Sequence, residues 1–250
     1  MKVITVSIQK GGTGKTSLAF HLAEHLRSKG KVLAVDLDMQ GNFSSMFLGN
    51  QEIDESHHIK NIFENKELTP FNAKKNLDII YSDIELSRFE ALGVQDVYAL
   101  ETFLENLDGY DFVVIDTPPS LSIFTANALI PSTHVLVPLD TSRAALKGLN
   151  IFLETLPKIE KFRRKKMDVT GIAVMRYKKA NFSKAILNNL ENAFPDNFLQ
   201  PVRDSIRISE ALALGVPVWE LDPRSAVSLD MLKLMNQIEK RINTIGEDDG

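Results

Sequence analysis

Residues 3 to 17 read VITVSIQKGGTGKTS, an apolar, β-branched run that passes without a break into a glycine-rich loop ending on Gly14-Lys15-Thr16. Val3 to Ile8 predicts a buried strand. After it, Gly11, Gly12 and Gly14 let the backbone turn tightly, so that several N–H groups converge where the next helix begins, a place that favours phosphate. Thr13, Lys15, Thr16 and Ser17 complete the predicted nucleotide-contacting set with those glycines, with Lys15 for the β- and γ-phosphates and the Thr16 hydroxyl for Mg²⁺. The common spacing GxxxxGK[ST] is not met, because Gln9 stands where its first glycine belongs and Lys10 precedes Gly11. With Lys15 already assigned to the bound phosphates, Lys10 is either a solvated lysine or a second cation that reaches another molecule's phosphates, as an arginine finger does.

Working outward, Leu18, Leu22 and Leu26, flanked by Ala19 and Ala23, have helical spacing, and Gly30 is placed to stop that helix. Four further apolar runs, Val32 to Val35, Phe112 to Ile115, Val135 to Leu139 and Val169 to Val174, read as buried strands separated by longer stretches. This alternation predicts an α/β fold, a mostly parallel sheet flanked by helices, in one domain spanning residues 1–250. The polar segment 50–66 reads as a surface excursion and the acidic end, Glu247-Asp248-Asp249, as a frayed tail.

Two strands end on carboxylates at the edge where open α/β sheets bind ligands. Asp36 and Asp38 lie two apart in VDLDMQGN, so that the two carboxylates can serve Mg²⁺ and the attacking water between them, although in isolation such a pair is more often a cap or turn. In YDFVVIDTPPS, an apolar run ends on Asp116 ahead of Pro118-Pro119, which suits a carboxylate that holds Mg²⁺ through water.

The absence of cysteine excludes disulfides, thiolate zinc sites, cysteine-ligated iron–sulfur clusters and cysteine nucleophiles. The five histidines form no HExxH or HxxEH spacing; His21 and His25 read as a polar helix face and His57-His58 as surface. No export signal and no run of 18 apolar residues is visible, which points to a cytoplasmic protein with no membrane partner. A net charge of −4 argues against a globally basic nucleic-acid binder, yet Lys158 to Lys184 holds ten Lys or Arg against only Glu160 and Asp168. That stretch is either a solvated face or a cationic patch suited to phosphate contact without base reading.

KGGTGKTS resembles the deviant Walker A motif, KGGxGK[ST], of the ParA/MinD family of P-loop ATPases, in particular the short, Soj-like ParA partition ATPases. The resemblance runs from Met1 to about Ile242. VDLDMQGN is similar to the family's DxDPQGN, with Met39 in place of proline, and IDTPPS to its IDxPPS. It implies ATP and Mg²⁺ as cofactors and a homodimer that sandwiches two nucleotides. Lys10 would cross that interface, Lys10, Lys15 and Asp38 would be catalytic, Asp38 by orienting or activating the water, and Thr16, Asp36 and Asp116 would be on the metal. MRYKKANFSKAI and PVRDSIRISEALALGVPVWELDPRS resemble later ParA segments whose basic residues bind DNA nonspecifically. The carry-over nominates Lys179 and Arg207 for DNA, Arg203 more weakly because it can instead line the nucleotide pocket, and Met175 and Pro201 as flanking the adenine.

The implied activity is slow Mg²⁺-dependent ATP hydrolysis, stimulated by a ParB-like cargo adaptor and serving plasmid, chromosome or other cargo on the nucleoid. Members with an N-terminal helix-turn-helix domain are longer, so operator-specific repression is not expected. A membrane-associated MinD-like ATPase is one alternative. However, Leu232, Met235, Ile238 and Ile242 read as core rather than as a lipid-binding stripe, and an acidic end repels anionic lipid. A P-loop small-molecule kinase or ligase and a nonhydrolysing scaffold are the others.

Overall fold

The computed structural model describes residues 1–163 and 166–244. Its sheet has seven strands: β1 (Lys2–Val6), β2 (Val32–Asp36), β3 (Phe71–Lys74), β4 (Leu77–Ile80), β5 (Phe112–Asp116), β6 (His134–Leu139) and β7 (Val169–Val174). The spatial order is β3-β4-β2-β5-β1-β6-β7, parallel throughout except for β3 against β4. Nine helices flank it among the described residues: α1 (Lys15–Leu26), α2 (Asn42–Leu48), α3 (Ala99–Glu105), α4 (Ile123–Leu129), α5 (Arg143–Arg163), α6 (Asn181–Ala193), α7 (Ile206–Ala213), α8 (Val218–Leu221) and α9 (Ala226–Thr244). The α/β reading and its five strands are present.

β1 lies between β5 and β6, so the chain leaves it toward β2 on one side and later crosses to β6 on the other. A crevice opens at such a reversal, outside the carboxyl ends of the strands. The register puts Val6, Asp36 and Asp116 side by side at that edge.

β3 and β4 were not expected. β4 is a run of only four residues, and β3 is a half-exposed edge strand, FNAK, with no hydrophobic run to betray it. The excursion at 50–66 is also more buried than its polarity implies. His58 is 1% exposed, with Nε2 on Asp83 Oδ1 at 2.9 Å, and the buried Lys60 ammonium is held by Glu55 and Glu85.

α1 is buried on nearly every side because it packs between the sheet and α9. This overturns the reading of His21 as part of a polar face. The ring is fully buried, Nδ1–H donates to Ser17 O (2.7 Å) and Nε2 accepts from Val218 N–H (3.1 Å). His25 instead meets Glu239 on α9 at 2.7 Å. Met235, Ile238 and Ile242 on α9 are fully buried, in keeping with their reading as core.

The basic stretch does not form one patch. Helix α5 starts beyond the carboxyl end of β6 and, at about 1.5 Å rise per residue, carries its last basic residues to the opposite edge of the sheet. Lys161, Arg163 and Lys166 therefore sit near the start of β7, while Lys178 and Lys179 follow its end. Arg164, Lys165 and the acidic tail lie outside the described residues. No described helix is long and apolar enough to cross a membrane.

Candidate functional site

At the crevice, the loop after β1 wraps around a cavity of about 640 Å³. Gly12 (φ 74°) and Gly14 (φ 93°) adopt the left-handed conformation that side chains resist. A Cβ on Gly14 would also come within 3.1 Å of Met175 Cβ, so the loop's closure against the opposite wall depends on that glycine. Gly14 caps α1, which directs its first N–H groups and dipole into the cavity.

Gly11, Gly12, Gly14, Lys15, Thr16 and Ser17 line one wall with Asp38 and Asn42. Thr13 is fully buried beneath them, its hydroxyl directed to Lys10 O at 3.5 Å. Lys15 is 6% exposed and donates to Lys10 O (3.1 Å). Burial pulls its amine below the ordinary range, and the Asp116 and Asp38 carboxylates oppose the shift.

Asp116 is fully buried, and neither oxygen has a hydrogen-bond partner among the described residues. Burial, and then the neighbouring Asp36, push its carboxyl well above the ordinary value. Such an orphaned carboxylate beneath the Thr16 hydroxyl fits a hard cation, whose remaining ligands would be water and phosphate oxygens. No group of three or more His, Cys, Asp or Glu suited to a metal occurs among the described residues, and a phosphate-borne Mg²⁺ does not need one.

Asp36, predicted to lie on the metal, is placed differently. Its Oδ2 accepts from Ser44 N–H (2.8 Å) and Ser44 Oγ–H (2.7 Å), and its Oδ1 from Asp38 N–H (3.0 Å). Burial pushes its carboxyl up to about 7 against these hydrogen bonds. Asp36 thus fastens α2 and the Asp38 turn. Asp38, the predicted water-orienting residue, faces the cavity and accepts from Gln40 N–H at 3.1 Å.

The opposite wall comes from Pro119, Met175, Arg176, Asp204, Ser205, Ile206, Ile208, Ser209 and Leu212. Met175, nominated to flank the adenine, lines this wall. Pro201 is not in the wall, because the 201–205 segment lies beside 175–177 (Tyr177 N to Val202 O, 2.8 Å) and only its later residues reach the cavity. Arg203 also turns away, with Nε on Asp230 Oδ2 at 2.5 Å. Asp204 was missed; it pairs with Arg176 (3.2 Å) and Lys178 (3.6 Å) across the two segments.

Lys10 does not line the cavity. Its ammonium meets Asp140 Oδ2 (2.6 Å) and Ser142 Oγ (2.8 Å), just beyond the end of β6. Burial would raise the Asp140 carboxyl, but the hydrogen bonds from Lys10 and Ser142 hold it below the ordinary value. Lys179 is exposed, and Arg207, also exposed, pairs with Glu210 (2.8 Å) and Asp222 (3.5 Å).

A family model described as an AAA domain matches residues 1–169. The sporulation initiation inhibitor protein Soj of Bacillus subtilis is 32% identical over 93% of this chain and 97% of its own. The chromosome partitioning protein ParA of Caulobacter vibrioides is 31% identical over 96% and 95%. The chain belongs to the ParA family of partition ATPases. Among solved structures, a plasmid partition protein from Borrelia burgdorferi superposes with a TM-score of 0.74 at 29% identity, covering 86% of this chain and 96% of that one. A second Borrelia burgdorferi chain, bound to AMPPNP, gives 0.84 at 26% over 96% and 99%. Within this ParA-family chain, the cavity between the glycine loop and the 175–212 wall is the candidate nucleotide site.

Proposed function

We propose that this chain is a partition ATPase that binds ATP and Mg²⁺ in the cavity, dimerises when ATP is bound, and as a dimer binds DNA without sequence preference. Lys15, Thr16 and the loop N–H groups hold the phosphates, and Asp116 with Thr16 hold the cation, which neutralises phosphate charge. Asp38 orients the attacking water. Positioning and charge stabilisation carry phosphoryl transfer, so one missing cation leaves the monomer slow.

The observation that supports this most is the direction of Lys10. Lys15 faces the chain's own cavity, whereas Lys10 is tied to Asp140 and Ser142 outside it. Released from Asp140, Lys10 is free to reach phosphates on a second subunit. Lys179 and Arg207 lie on neighbouring segments beside the cavity and are the DNA-contacting candidates. A ParB-like adaptor on the cargo, whether a plasmid, a chromosome or another assembly, would stimulate hydrolysis on the nucleoid, in the cytoplasm.

The test is binding to a long, sequence-neutral DNA duplex at fixed salt with ADP, with ATP, and with ATP on Asp38→Ala, mass being followed in parallel. ATP-dependent dimers that hold DNA, longer-lived in Asp38→Ala, are expected. Indifference to DNA in every nucleotide state contradicts the reading.

A further inference from the structure

At the other edge of the sheet, where β1, β6 and β7 begin, a second cleft of about 1030 Å³ is closed by the ends of α5 and α9. Its size is that of small-molecule sites, which run to roughly 1,000 Å³. Five cations line it, Lys2, Arg163, Lys166, Lys240 and Arg241, against the carboxylates of Asp168 and Asp196. Two of these cations end on neutral partners. Lys2 donates to Asn243 Oδ1 (2.6 Å), and Arg241 donates to Thr170 O (3.0 Å) and Phe198 O (2.9 Å), which fixes its guanidinium in place. Among the described residues that line this concave space, positive charge thus exceeds negative charge, in a chain whose net charge is −4. Such a cleft concentrates field and favours an anionic occupant.

His134 supplies the second, independent observation. Its side chain lines the cleft and is 3% exposed, and Nε2 has no hydrogen-bond partner among the described residues. Nδ1 lies 2.7 Å from Thr133 Oγ, and whichever of the two donates, Nε2 is left without a partner among the described residues. Burial and the nearby Lys2 charge lower the imidazole to about 4, which keeps it neutral near pH 7. A buried polar nitrogen without a partner costs free energy that a ligand hydroxyl, able to donate or to accept, would recover.

We propose that this cleft is a second ligand site for a small, hydroxylated phosphate ester, its phosphate among Lys2, Lys240 and Arg241 and one hydroxyl hydrogen-bonded to His134 Nε2. The site is separate from the nucleotide cavity, which opens at the carboxyl ends of the same strands.

Ribose 5-phosphate and methyl phosphate serve as probes, titrated calorimetrically into the full chain saturated with a nonhydrolysable ATP analogue and Mg²⁺ so that the phosphate loop is occupied. One site per chain is expected, with ribose 5-phosphate bound about tenfold tighter than methyl phosphate, the worth of a hydrogen bond to a buried unpartnered group. The double variant Lys2→Glu, Lys240→Glu, on exposed ends of side chains, should weaken both probes by about tenfold or more. His134→Phe should remove the preference between them. The proposal is overturned if neither probe saturates, if charge reversal leaves binding unchanged, or if only a 5′-phosphorylated oligonucleotide binds.

Discussion

The two walls of the nucleotide cavity are built on different principles. The loop wall is made of backbone: its N–H groups converge because Gly12 and Gly14 occupy conformations that other residues resist. The 175–212 wall is made of side chains on two neighbouring segments, with Ile206, Ile208 and Leu212 giving an apolar surface and Asp204 held by Arg176 and Lys178. A backbone wall constrains residue identity tightly, whereas a side-chain wall accepts many residues of similar size. Substitutions should therefore cost far more on one wall than on the other.

The largest effect is expected from Lys10, which belongs to neither wall. Lys10→Ala should cut adaptor-stimulated turnover by about 10³-fold or more, while ATP affinity in the monomer, read by equilibrium binding, stays within about twofold of the parent. Loss of affinity instead would place Lys10 on the chain's own nucleotide. On the loop wall, Asp38→Ala should lower single-turnover hydrolysis by about 10²-fold or more with ATP still bound, the usual range for a positioned base or water-orienting group.

The stitch between the walls comes next. His21 joins Ser17, at the head of the loop's helix, to Val218, just beyond the far wall. Burial lowers its imidazole to about 4 from an ordinary 6.5. The unfolded chain therefore binds more protons between those values, so stability is intact above about pH 6.5 and lost as pH falls toward 4. The full effect is about 3 kcal/mol at most. Urea unfolding at pH 7 and pH 4.5 checks it: the loss between them should shrink in His21→Gln, and an equal loss would show that other groups carry the acid sensitivity. The smallest effect should come from the far wall, where Leu212→Ala is expected to weaken ATP binding by about 1 kcal/mol or less. A loss as large as that of Asp38→Ala in turnover would erase the contrast between the walls.

The same contrast explains what could be read from the sequence. The glycines, Lys15, Thr16 and Asp116 were legible because each answers a geometric or charge requirement at a fixed position on a strand–loop–helix unit. The hydrogen bonds of Asp36 could not be read, because its spacing from Asp38 does not reveal that Ser44, eight residues on, donates to its Oδ2 through both N–H and Oγ–H. Pro201 failed for a related reason, since the 201–205 segment turns its residues toward or away from the cavity according to pairings with 175–177 that have no local signal. His21 looked like a polar-face residue because helical spacing alone does not tell that α9 and α8 cover that side of α1. Likewise the basic stretch looked continuous, yet strand β7 runs between its two halves and leaves them at opposite edges of the sheet.

The most direct test of the central claim, that Lys10 serves the nucleotide of a second subunit, is complementation in mixed dimers. Lys10→Ala and Asp38→Ala are each expected to be nearly inactive alone. In an equal mixture, half of the dimers pair the two variants, and each of those contains one intact site formed by Asp38 of one subunit and Lys10 of the other. Turnover should then recover to about a quarter of the parent rate. If the mixture remains as inactive as its components while dimers form, Lys10 does not act across the interface.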